Sequence, residues 1–167
     1  MKKFIIIIVS LILSISANAQ FVGGDNITSE GAELITSWNG FDKSLSYDKS
    51  EQMFVYIHIT ETPRKNIVGI IESTILSLSL GKTKEEAIKT LNAYKSLIEK
   101  LGKTEETEIT DVFTNVTYKV FKDTNGIMKN TIFFLGDSVI DNEVKMSQYG
   151  NLSLKDIEKM IVGLKKY

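Results

Sequence analysis

Few side chains in this chain can do chemistry. His58 is the only histidine, and there is no cysteine. A Ser–His–Asp triad would have to use His58, and no G-x-S-x-G elbow is present to hold its serine. The missing cysteines exclude a disulfide framework, a thiolate zinc site, a thiol nucleophile and a lipidated bacterial cysteine. One imidazole cannot build a His-rich metal site. His58 sits in a stretch where Met53, Val55, Ile57 and Ile59 alternate with Phe54, Tyr56 and His58. A packed strand histidine hydrogen-bonded to a neighbour is the plainer expectation there.

Gly81-Lys82-Thr83 precedes a helical pattern and invites comparison with a phosphate-binding loop. That loop needs a glycine five positions before its Gly-Lys pair, and position 76 is Leu. Carboxylates are plentiful: Glu85 and Glu86, Glu105, Glu106 and Glu108, Asp141 and Glu143. A pair of them could hydrolyse a glycoside only if held roughly 5–9.5 Å apart in a cleft. The Glu85–Glu86 pair and the run from Glu105 read as solvated surface. Asp123-Thr-Asn125-Gly126 lacks the spacing and the terminal Glu of a calcium loop, and a hairpin turn explains it. No cofactor is expected.

Basic residues are nearly all Lys, with Arg64 the single Arg. Arg is the favoured side chain for phosphate and base-edge contacts, so nucleic acid is not an expected partner. Arg64 follows Pro63 in an expected turn, where a partner contact would be accessible. Trp38-Asn39-Gly40-Phe41 is the one aromatic cluster outside the regular pattern. It could close an end of the core or line a ligand groove. Trp38, Phe41, Tyr56, His58 and Arg64 are therefore the expected ligand or partner contacts. Ser73, Ser77 and Ser79 form a small polar row that could receive another element of this chain or a partner strand. Asn26, Asn115 and Asn151 each open an N-x-S/T triplet, which matters only in a host that glycosylates.

These residues need elements to position them, and the chain begins with something else. Lys2 and Lys3 precede a twelve-residue apolar run, residues 4–15, and Ala17-Asn18-Ala19 follows. That is the plan of a cleavable secretory signal over residues 1–19, too short for a membrane span. Cleavage would leave 148 residues and, without the two lysines, turn the net charge from −1 to −3. Such a chain is long enough for one core. The full sequence's 43% apolar and 25% charged residues are those of a folded domain.

Residues 20–43 read as an irregular lead-in, with a short helix or a strand over residues 32–38. The globular domain is expected over residues 44–167. Strands are expected at 44–48, 52–60 and 67–80, with a turn at 61–66 around Pro63. For 67–80 a helix competes, but the β-branched residues favour the strand. Ala87, Ile88, Leu91, Tyr94, Ile98 and Leu101 form one helical stripe, with a T-x-x-E capping box at Thr83 and Glu86 and a stop at Gly102. Further strands are expected at 106–113, 116–120, 127–135 and 139–147, with turns at Asn125-Gly126 and at Gly136-Asp137-Ser138. A last helix starts at Ser153, with Asp156 in its cap and Ile157, Met160, Ile161 and Leu164 on one face.

The expected fold is therefore α+β: a single domain with one twisted antiparallel sheet of about six or seven strands, and two amphipathic helices packed on one face. The expected function is that of a small exported domain, periplasmic or secreted, that binds a protein or a ligand of the cell envelope without catalysis. One alternative is a small carboxylate-dependent hydrolase using His58 or Tyr56. Another is a chaperone-like or assembly factor for exported proteins. The expected partner is another envelope or secreted protein, and the mature chain has no expected transmembrane span.

Overall fold

Among the described residues, alternating apolar residues and two helical stripes generate nine strands and two helices in a computed structural model of the chain. The structure describes residues 28–29, 31–40, 42–65, 71–122, 128, 130–140 and 144–167. The expected signal over residues 1–19, Phe41, the expected turn at Asn125-Gly126, and Asp141 and Glu143 lie outside the described residues.

Strands β1 (Thr28–Ser29), β2 (Ala32–Trp38), β3 (Lys43–Asp48), β4 (Met53–Lys65) and β5 (Ile71–Gly81) form one antiparallel sheet in sequence order. Helix α1 (Lys84–Lys100) follows. Strands β6 (Glu106–Thr110), β7 (Thr117–Lys122), β8 (Thr131–Ile140) and β9 (Val144–Ser153) form a second antiparallel sheet, also in order. Helix α2 (Leu154–Lys166) ends the chain. The class is α+β, but there are two sheets rather than one of six or seven strands.

The ladder breaks at β5 for a chemical reason. The backbone N–H groups of Ser77 and Ser79 are not taken by a further strand. Ser79 N–H donates to Asp111 Oδ2 at 2.9 Å, and Ser77 N–H to Gln148 Oε1 at 3.4 Å. Ser77 O accepts from the Tyr118 hydroxyl at 2.9 Å. Side chains of the second sheet and of the β6–β7 connection thus satisfy an edge that would otherwise recruit another strand. At Ser77 and Ser79 the backbone of β5 thus meets another part of this chain.

Both sheets turn apolar faces toward the helices. Leu45, Leu76, Leu78 and Leu80 from the first sheet meet Val120, Ile132, Phe134 and Leu152 from the second. Ala87, Leu91, Tyr94 and Ile98 of α1, with Ile157, Met160 and Leu164 of α2, fill the space between. The opposite face of the second sheet carries a stacked row, Phe121 on Phe133 at 5.8 Å and Phe133 on Tyr149 at 6.2 Å between ring centres.

Both helix starts are capping boxes, at Thr83 with Glu86 and at Ser153 with Asp156. Helix α1 stops with Leu101 as the extended cap and Gly102 just past it, where Gly102 N–H donates to Glu105 Oε2 at 2.8 Å and its C=O accepts from Glu105 N–H at 3.3 Å. Residues 32–38 are strand β2, so part of the expected lead-in belongs to the sheet. The expected turn at 61–66 is strand as far as Lys65, with an irregular register between Thr62 and Lys65. A bulge there tolerates Pro63, which has no N–H to give a ladder. Nor does Gly136 turn the chain. It lies inside β8 opposite Tyr118, and a Cβ on it would meet the Tyr118 ring at 2.7 Å. The glycine makes room for an aromatic side chain.

Candidate functional site

Antiparallel register places Trp38 beside Lys43, Lys43 beside His58, and His58 beside Leu76. Three polar or amphipathic side chains therefore share one row on the core face of the first sheet. All three are less than 9% exposed. Burying them requires partners, and these come from the other end of the chain.

Asp156, in the first turn of α2, is the centre. Its Oδ1 accepts from Trp38 Nε1 at 2.7 Å. Its Oδ2 accepts from Lys43 Nζ at 2.7 Å, from Ser153 Oγ at 2.7 Å and from Ser153 N–H at 2.9 Å. Burial alone would raise this carboxyl, but the hydrogen bonds from Lys43 and Ser153 and the Lys43 charge outweigh it and hold it below the ordinary carboxylate value. Lys43 Nζ also donates to Asn151 Oδ1 at 2.8 Å.

The backbone of Asn151 ties β9 to the same row. Its N–H donates to His58 Nδ1 at 3.0 Å, and its C=O accepts from the Tyr56 hydroxyl at 2.8 Å. Gly150 makes this approach feasible, since a Cβ there would sit 2.6 Å from Leu76 Cβ and 3.0 Å from His58 Nδ1. Burial, then the nearby Lys43 charge, lower His58 to about 4, against a smaller opposing pull from Asp156. His58 is thus a neutral acceptor at neutral pH. Burial and the Asp156 charge push Tyr56 well above the ordinary phenol value, so it stays a phenol and a donor. Neither arrangement activates a nucleophile or a base.

A cleft of about 430 Å³ opens above the cluster. Lys43, Asn151 and Asp156 form part of its wall, with Asn39, Met128, Lys155 and Lys159 around them. Lys159 Nζ stands 5.6 Å from the centre of the Trp38 ring, within cation–π range.

Trp38, Tyr56 and His58 are thus brought into one cluster. Arg64 is not among them: it lies six residues beyond His58 in β4, about 20 Å along a strand. Phe41 lies outside the described residues. Glu85, Glu86, Glu105, Glu106 and Glu108 are all exposed. Glu86 closes the α1 capping box, and Glu106 pairs with Lys119. Among the described residues, no three His, Asp or Glu side chains gather as a metal site would need. Among them, too, no helix is long and apolar enough to cross a membrane.

Sequence reasoning missed Lys43, Asn151, Lys155 and Lys159, and read Asp156 only as a cap. One signal was available for Lys43. It alternates with Leu45 and so shares the core face of β3. Compared with family models, curated proteins and solved structures, the chain matches none.

Proposed function

We propose that the chain is an exported, non-enzymatic binding domain whose ligand occupies the cleft above Lys43 and Asp156. One observation carries this reading. The buried polar side chains beneath the cleft have their hydrogen bonds filled by one another, with none left unpartnered among the described residues. A saturated cluster makes a rigid floor, whereas a catalytic site keeps reactive groups open to substrate. His58 and Tyr56, the side chains a hydrolase would need, are engaged by the backbone of Asn151. The cleft volume falls within the roughly 300–1,000 Å³ usual for small-ligand sites. Export rests on the signal-like residues 1–19.

Two measurements on the purified exported protein test this. N-terminal sequencing is expected to begin at Gln20, and a retained Met1 would refute cleavage. A chemically varied fragment set, read by amide shifts in a two-dimensional NMR spectrum, is expected to perturb Lys43, Asn151, Lys155 and Lys159. Fragments that leave those amides unmoved, or a fragment that is turned over, would refute the binding reading.

A further inference from the structure

The wall of the cleft is unbalanced in charge. Lys43, Lys155 and Lys159 contribute three ammonium groups, and Asp156 the one carboxylate among its described lining residues. That carboxylate is already committed, because both its oxygens accept hydrogen bonds and Lys43 is one of the donors. Lys43 and Asp156 therefore cancel, and the charges of Lys155 and Lys159 remain. These two lie four residues apart on α2, so they share a face, and like charges at this spacing repel. Neither has a salt bridge among the described residues. The imbalance is local, since the whole chain carries a net charge of −1.

We infer that the cleft takes a small dianionic oxyanion ligand of the phosphomonoester class, held between Lys155 and Lys159 over the Lys43–Asp156 floor. Two uncompensated ammonium groups match the charge of about −1.5 to −2 on a phosphomonoester at neutral pH. Lys binds a phosphate as a point charge with rotatable donors, where Arg would add a bidentate fork. A bound dianion also relieves the repulsion between the two lysines. Asn151 and Asn39 add neutral polar groups to the wall, and Met128 adds an apolar one for the body of the ligand. This inference rests on the binding reading of the cleft and adds the ligand's charge to it.

The test is a titration of the full exported protein with phenyl phosphate, benzoate and phenol, read by amide shifts and by calorimetry. Phenyl phosphate is expected to move the amides of Lys155 and Lys159, to bind more tightly than benzoate, and to weaken with added salt. Phenol is expected to bind least. Lys155→Gln with Lys159→Gln is expected to weaken phenyl phosphate about tenfold, as loss of charge-assisted hydrogen bonds would. The matching double Arg variant is expected to keep binding, and serves as the measure if the Gln variant folds poorly. Benzoate binding as tightly as phenyl phosphate overturns the dianion. Phenol moving the cleft amides as strongly as phenyl phosphate overturns charge selection but leaves the cleft a binding site. Phosphate affinity unchanged in the Gln variant, or lost in the Arg variant, places the anion elsewhere. Silence from every probe removes the inference and the binding reading together.

Discussion

Two polar seams join the sheets, and they differ in charge and in setting. In the first, Asp156 and Asn151 meet Trp38, Lys43 and His58, with a buried ion pair at the centre and a cleft above. In the second, Asp111, Gln148 and Tyr118 meet the backbone of Ser77 and Ser79, with no lysine involved. Tyr118 also donates to Gln148 Oε1 at 2.6 Å, and Asp111 Oδ1 accepts from Phe113 N–H at 2.9 Å. The second seam finishes a sheet edge, which is a structural need of any edge strand. Asp156 already accepts three hydrogen bonds from neutral donors, Trp38 Nε1, Ser153 Oγ and Ser153 N–H, and a buried lysine adds desolvation cost to these. The first seam thus adds a buried ion pair to its neutral hydrogen bonds, and that pair forms the floor of the cleft.

Removing the central carboxylate should separate the seams most sharply. Asp156→Ala leaves the Lys43 charge buried, unpairs Trp38 Nε1 and removes half of the α2 capping box. The expected loss is about 3–5 kcal/mol in chemical denaturation, the usual result of orphaning a buried charge. A loss below about 1 kcal/mol would show that Lys43 escapes to solvent and that the ion pair holds little.

Acid should act on the first seam next. His58 titrates near 4 in the fold and near 6.5 in the unfolded chain. Between these values the unfolded state binds the proton and the folded state does not, so stability falls as pH drops from about 6.5 to 4. The full difference is about 3 kcal/mol at roughly 1.4 kcal/mol per pH unit. Asp156, whose pKa is held low, adds a further loss only below its ordinary unfolded value. His58→Asn keeps an acceptor near the position of Nδ1 and is expected to flatten the upper part of the profile. An unchanged slope in that variant would assign the acid sensitivity to other groups.

Asp111→Ala tests the second seam. It strips an acceptor from the N–H groups of Ser79, Phe113 and Thr114. With no buried cation left behind, the expected cost is about 1–3 kcal/mol, below that of Asp156→Ala. Equal costs for the two variants would mean that charge pairing is not what distinguishes the seams.

The sequence made parts of this legible at single-residue precision. Thr83 with Glu86 and Ser153 with Asp156 are four-residue patterns, and both caps formed where they were read. Gly136 misled, because glycine marks a turn and a close approach alike, and only the position of the Tyr118 ring tells them apart. Pro63 misled similarly, since a bulge accommodates it as well as a turn does. Of the site, Trp38, Tyr56 and His58 were singled out by residue type. Their partners were not, because Trp38 and Asp156 are 118 positions apart and nothing local links them.

By itself the sequence determined the α+β class, the helix stripes and caps, most strands, and the exclusion of thiol and multi-histidine chemistry. Each follows from periodicity within one element or from counting residue types. Only the tertiary structure decided that the strands divide into two sheets, because that depends on which acceptors reach the edge of β5. It also decided that the lone histidine is a neutral acceptor under a backbone N–H, and that two surface lysines of α2 stand over a buried ion pair. Those are facts of long-range register and burial, where electrostatics depends on what the fold places alongside each charge.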